Sequence, residues 1–247
     1  MCGRFSLTAT EEDLRKAFGY DGAPRNLRPR WNVAPTQESP VLRREAGGGL
    51  RLDLLAWGLV PYWAEDPSVG SRMINARGET VAEKPAYKQA YRQRRCLVPA
   101  DGFYEWEEKG DKRPILFRAS DAAPFAFAGL WEKWVPKSGG VLETFTIVNC
   151  AAQPGSLMAR YHHRTPVILA PEDYDAWLDT ERDPQALIRP PREGFLNATR
   201  VSTYVNKVAN DDSNCFVPAP EEPPSAELEA PPKKKTKLLD DRQGSLF

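Results

Sequence analysis

The sequence predicts an α+β fold: a mostly antiparallel, barrel-like β-sheet core with short peripheral helices and a disordered C-terminal tail. Three observations lead there. Apolar, partly alternating runs of strand length follow one another through the middle of the chain. Helix-like stretches are few and short, and near Pro218 the composition turns abruptly to Pro, acid and then Lys. Strands arriving in runs, with helices only at the edges, favour antiparallel pairing over a doubly wound parallel sheet.

The elements follow in order. TATEEDLRKAFGY reads as a first helix, with Thr8 or Thr10 as the cap and Gly19 as the stop. PVLRREAGGGLRLDLLAWGLVP reads as two strands joined at the triple glycine. After a loop containing SRMINARGET, KPAYKQAYRQRRC reads as a short basic helix. CLVPADGFYEW, RPILFRA, FAFAGLWEKW, ETFTIVNCAA and TPVILA supply further strands. A helix around PEDYDAWL and a last stretch, RVSTYVNKV, complete the body. The globular domain therefore spans 2–217, with no internal repeat. VPAPEEPPSAELEAPPKKKTK has almost nothing to bury and cannot offset its ordering entropy, so 218–247 is read as a disordered tail.

Composition removes several function classes. Thirty-four basic and 34 acidic residues leave no net charge, so any nucleic-acid site must come from local clusters of Arg and Lys. No apolar run reaches the roughly 18 residues of a membrane span, and the N-terminus lacks an apolar signal core. Cys2, Cys96, Cys150 and Cys215 are far apart without CxxC spacing, which argues against a metal site and a disulfide scaffold. No cofactor is expected.

The first five residues, MCGRF, raise a chemical question. Removing Met1 gives Cys2 a free α-amine beside its thiol. Such an amine is roughly a fifth to a third neutral at pH 7.4, and the thiol is a strong nucleophile once deprotonated. With an aldehyde this 1,2-aminothiol forms a Schiff base through nitrogen, and the thiol then closes a five-membered thiazolidine. An internal cysteine cannot do this, because its amide nitrogen is not nucleophilic. The bland reading, a second residue that is merely small, stands against it. So does a class II glutamine amidotransferase, which also starts MCG and attacks an amide with its cysteine.

Seven blocks occur in order: MCGRF, WNVAPTQ (31–37), WGLVPYWA (57–64), INARGET (74–80), RRCLVPADGFYEW (94–106), HHRTPVIL (162–169) and YVNKV (204–208). Together they resemble the SOS response-associated peptidase (SRAP) family, which recognises abasic sites in single-stranded DNA; the resemblance spans essentially 2–217. It implies a covalent trap in which the N-terminal cysteine closes a thiazolidine on the ring-opened abasic sugar. It also implies a peptidase-like self-maturation that frees Cys2, and the imine stage leaves room for lyase chemistry.

By the resemblance, Asn75, Glu105 and His162 join Cys2 as catalytic residues. Glu105 suits general acid–base work if burial beside Phe103, Tyr104 and Trp106 raises its pKa. His162 is a second proton carrier, chosen over its neighbour His163 by the resemblance alone. Asn75 can hydrogen-bond the Cys2 amine or a sugar oxygen without adding charge. Thr165 stands where the family commonly has Met. Taken singly, Glu105 reads as an ion-pair partner, a histidine as a helix cap and Asn75 as a turn residue.

For DNA, Arg4, Arg72 and Arg77 flank these motifs, and Lys84, Lys88, Arg92, Arg94 and Arg95 are read as lining the basic helix. Trp63 and Trp106 are the stacking candidates, with Pro40 near a loop edge, while Trp57 and Trp131 are read as core. At the chain end, RQGSLF resembles the short peptides that dock on the β sliding clamp; Gln243, Leu246 and Phe247 match and Gly244 departs. A tethered end raises effective concentration at the fork. PKKKTK resembles a nuclear import signal or a DNA-facing lysine run.

The expected partner is thus single-stranded DNA containing abasic sites, met by a monomer, with no membrane. The expected location is cytoplasmic in a bacterial host and nuclear in a eukaryotic one. Two other readings stay open: an N-terminal-nucleophile amidohydrolase or peptidase acting through Cys2, and a noncatalytic replication-fork adaptor.

Overall fold

The computed structural model describes residues 2–23, 25–107, 112–137 and 139–220. Strand β1 (Arg4–Leu7) is followed by α1 (Glu11–Phe18), where the sequence places the first helix. Thr10 is the cap. Its hydroxyl accepts from the Asp13 N–H at 3.2 Å, and the Asp13 carboxylate accepts from the Thr10 N–H at 3.1 Å. Gly19 ends the helix in the left-handed region at φ 63°.

Five strands close into a ring. β3 (Glu38–Arg44) and β4 (Leu50–Trp57) are the hairpin expected around the triple glycine. β3 pairs with β6 (Arg95–Ala100), β6 with β9 (Phe125–Trp134), β9 with β10 (Leu142–Ala151), and β10 returns to β4. Every step is antiparallel except the last, where Thr144 and Phe145 lie parallel to Ala56 and Trp57. Closure removes exposed ladder edges. A second, wholly antiparallel sheet has the order β13 (Leu196–Arg200), β8 (Pro114–Ala119), β7 (Gly102–Trp106), β1, β2 (Arg30–Val33).

The period-two pattern of the ring strands divides their side chains between two cores. Val41, Leu55, Val98, Phe127 and Ile147 pack with Phe5, Phe103 and Phe117 of the second sheet. Phe5 meets Trp57 edge-on at 5.1 Å, and Phe103 stacks on Phe117 at 5.1 Å. The alternate residues Leu42, Leu97, Ala128 and Val148 pack instead with Leu14 of α1, Tyr91 of α2 (Pro85–Gln93) and Trp177 of α3 (Tyr174–Leu178). The expected α+β, barrel-like architecture is the observed one.

Two local expectations are corrected. α2 ends at Gln93, so Arg94 and Arg95 do not belong to its basic face. Arg95 opens β6, is buried, and donates to the carbonyls of Trp177 (2.5 Å), Tyr91 (2.6 Å), Arg182 (3.1 Å) and Asp179; Arg94 pairs with Glu132 at 2.8 Å. These guanidiniums tie helix ends to the barrel, Arg95 buried and Arg94 partly so. Pro40 does not lie at a loop edge: it sits inside β3 opposite Leu54 and is buried. β3 registers with β6 only at Leu42, which makes an N–H dispensable two residues earlier. At the expected boundary, Val201 bridges Pro218 and the Ala219 N–H donates to Arg200 O at 2.9 Å. Gln243, Leu246 and Phe247 lie outside the described residues.

One glycine is demanded by the packing. Gly58, after β4, has φ +129°, and a Cβ there would stand 2.5 Å from Gly70 O. This approach seats the 3-10 turn Pro67–Arg72 on the barrel immediately before β5 (Asn75–Arg77). Gly58→Ala is therefore expected to lower stability by about 2–4 kcal/mol, combining backbone strain and overpacking. Chemical denaturation of the variant checks this, and a loss under about 0.5 kcal/mol, the range of a neutral surface change, contradicts it.

Candidate active site

One strand pairing delivers the N-terminus and Glu105 to one place. β1 runs antiparallel to β7 with Arg4 opposite Tyr104 and Phe5 opposite Phe103, so the chain before β1 runs alongside the end of β7. Cys2 is 1 % exposed and Glu105 3 % exposed. The Cys2 thiol contacts Arg4 O at 3.6 Å. Burial pushes that thiol well above its ordinary pKa, and the nearby Glu105 carboxylate adds to the effect. Both effects favour the protonated thiol.

Asn75 reaches the same place from the barrel. It opens β5, which lies parallel to β10 with Asn75 opposite Ile147 and Arg77 opposite Asn149. Its Nδ2 donates to Cys2 O at 2.7 Å, joining the second sheet to the barrel. Its Oδ1 is buried and accepts no hydrogen bond from the described residues. A buried amide oxygen left unmatched costs about 1–3 kcal/mol. It is matched when a ligand or an amine supplies the missing donor.

His162 arrives on the other flank of β10. There β11 (Arg164–Pro166) pairs antiparallel, with Cys150 opposite Thr165 and Ala151 opposite Arg164. The half-buried His162 ring stacks on the exposed His163 at 4.4 Å, and its Nδ1 accepts from the Arg164 N–H at 2.9 Å. That contact assigns the proton of the neutral ring to Nε2. Arg164 itself is pinned, donating to Asn149 Oδ1 (2.7 Å), Asn149 O (3.1 Å) and Glu79 (2.7 Å). Glu79, Asn149 and Arg164 were not singled out by sequence reasoning. The available signal was Glu79 and Arg164 recurring as charges inside the motif blocks INARGET and HHRTPVIL.

The residues expected to contact DNA divide into three groups. Arg72, Arg77 and Lys84 are exposed, as is Trp63 at 54 %. Trp63 and its neighbour Tyr62 line an open cavity of about 500 Å³ together with Lys88 and Arg92 of α2. Arg4 and Trp106 are partly buried: the guanidinium lies 5.8 Å from the indole centroid, and Trp106 Nε1 donates to Asn206 at 2.8 Å. Pro40, being buried, offers no surface. Trp57 is core as expected, whereas Trp131 is only partly buried, beneath Arg43 at 4.2 Å.

Among the described residues no helix is long and apolar enough to cross a membrane, and no group of three or more His, Cys, Asp or Glu could hold a metal ion.

Comparison with known proteins places this arrangement. The profile of the SOS response associated peptidase (SRAP) family matches residues 1–208. Abasic site processing protein YoqW of Bacillus subtilis is 39 % identical over 219 residues, covering 85 % of this chain and 96 % of the relative. Abasic site processing protein HMCES of Gallus gallus is 33 % identical over 265 residues, covering 88 % and 78 %. A crystal structure of a Bacteroides thetaiotaomicron protein superimposes with a TM-score of 0.77 at 23 % identity, covering 88 % of this chain and all of that one, and so shares the fold. Ordered motifs, domain-length identity and a shared fold agree: the chain belongs to the SOS response associated peptidase family.

Proposed function

We propose that this chain binds abasic sites in single-stranded DNA and captures them covalently as a thiazolidine at Cys2. The observation that carries the reading is the meeting of Cys2, Asn75 and Glu105 in one buried place, supplied by three separate chain segments. Its relatives are named abasic site processing proteins, which supports the same substrate.

The steps balance without oxidant or cofactor. Hydrolysis of the Met1–Cys2 bond frees the amine, a maturation that fits the peptidase in the family's description. The abasic sugar opens from hemiacetal to aldehyde, and His162 is the residue assigned to move the ring-opening proton. The Cys2 amine adds to the aldehyde carbon, and Glu105 in its acid form protonates the carbinolamine hydroxyl, which leaves as water and gives a protonated imine. The thiol then adds to the imine carbon, its proton passing to Glu105. Asn75 Oδ1 is suited to accept from the Cys2 amine or a sugar hydroxyl, since Nδ2 is already engaged with the Cys2 carbonyl. Arg72, Arg77 and Lys84 are exposed donors for phosphates, and Trp63 is a platform for a flanking base. An unpaired strand admits the sugar without an unstacking cost.

Incubating mature protein with a glycosylase-treated, uracil-containing single strand is expected to give a band that survives denaturation, and Cys2→Ala is expected to give none. No band with mature wild-type protein, together with ammonia release from glutamine or peptide cleavage in trans, would replace this reading with an amidohydrolase. Glu105→Gln is expected to slow crosslinking by about 10²–10⁴-fold, the usual scale for a lost acid–base group; a rate within twofold of wild type rejects that role.

The thiol makes a further prediction whose sign is fixed. The Glu105 charge raises the Cys2 pKa, so Glu105→Gln lowers it and thiolate appears at lower pH. Peptide-resolved mass spectrometry of iodoacetamide-treated protein is expected to show the Cys2 alkylation midpoint moving down in pH. An unchanged or upward-moving midpoint contradicts the arrangement.

A further inference from the structure

We propose that Asn32 is a positioning residue that sets Arg4 beside Cys2 for a DNA phosphate. The inference rests on the reading above that a nucleic-acid strand occupies this site.

Asn32 lies in β2 and is fully buried. Its amide is committed at both ends. Oδ1 accepts from Arg4 Nη1 at 2.9 Å, while Nδ2 faces three carbonyls: Val205 O (3.1 Å), Lys207 O (3.1 Å) and Asn210 O (2.7 Å). Arg4 Nη1 also donates to Val205 O at 3.1 Å, closing a triangle of Asn32, Arg4 and the 205 carbonyl. The segment carrying those carbonyls is fastened at its far end as well. Asp211 accepts from the backbone N–H groups of Trp31 (2.7 Å) and Asn32 (2.9 Å) and from Arg30.

The consequence falls on Arg4. One guanidinium nitrogen is saturated by protein, while Nε and Nη2 make no hydrogen bond to the described residues. The group is half-buried, burial lowers its pKa against smaller opposing effects of Cys215 and Tyr104, and no carboxylate among the described residues pairs with it, so the charge favours an incoming anion. Charged donors in such a setting bind phosphate more tightly than a mobile surface lysine does. Arg4 is two residues from Cys2, and its carbonyl is the group the Cys2 thiol contacts, so a phosphate held by Arg4 would sit on the same stretch of chain as the nucleophile. Asn32 touches neither DNA nor the reacting atoms. It holds Arg4 still by coupling it to the 205–211 segment.

The test uses undamaged single-stranded DNA, so no arm depends on thiazolidine chemistry. Anisotropy titrations of wild type, Asn32→Ala, Arg4→Ala and the double variant are read across salt concentrations. Asn32→Ala is expected to weaken binding about tenfold, a loss of about 1.4 kcal/mol. It is also expected to cut the salt slope by about 0.7, the value for one lost phosphate contact on a single strand. The double variant is expected to bind no more weakly than Arg4→Ala alone. Wild-type affinity in Asn32→Ala, or losses that multiply in the double variant, overturns the proposal, as does a wild-type chain that binds no DNA. If Asn32→Ala fails to fold, NMR of the wild-type chain decides. The buried Asn32 side-chain amide and the Arg4 Nε–H are both expected to shift when DNA is added, and an unmoved pair overturns the proposal. A normal thermodynamic cycle in a protein that forms no crosslink would remove the covalent reading and leave this one intact.

Discussion

The bond from Asn75 Nδ2 to the Cys2 carbonyl is the joint on which the site depends. It crosses from the barrel to the second sheet, and it holds the start of the chain in a place where a terminus would ordinarily fray. Once Cys2 is held there, its thiol is desolvated and stays protonated, and Glu105 becomes its neighbour through the β1–β7 ladder. The nearness of Cys2, Asn75 and Glu105 thus follows from how two sheets meet.

β10 organises the remainder. Its first half closes the barrel between β4 and β9, and its second half extends between β5 and β11. A single ten-residue strand therefore carries Asn75 on one flank and the His162–Arg164 corner on the other. Arg164, held by Asn149 and Glu79, fixes the backbone whose N–H orients the His162 ring. Rigid scaffolding of this kind fixes the positions of side chains drawn from separate segments.

Electrostatics is distributed by burial. Buried guanidiniums at Arg43 and Arg95 are consumed by structure: Arg43 by Asp53 and Glu143, Arg95 by four carbonyls. Exposed cations such as Arg72, Arg77, Lys84 and Lys88 keep their charge toward solvent. A chain with no net charge can therefore still present a local basic surface.

What the sequence by itself determined was local or chemical. The capping box at Thr10, the triple-glycine hairpin and the alternating strands are legible because each depends on neighbours a few residues away. Cys2 was legible because an N-terminal aminothiol is reactive whatever surrounds it, and the motif blocks of the family singled out Asn75, Glu105 and His162. Tertiary structure alone decided that Pro40 and Arg95 are interior, that Asn75 grips a backbone carbonyl 73 residues away, and that Asn32 serves Arg4. Those outcomes rest on carbonyl and amide groups that every residue carries, and on burial. Neither leaves a mark in the identity of the amino acid until the chain has closed on itself.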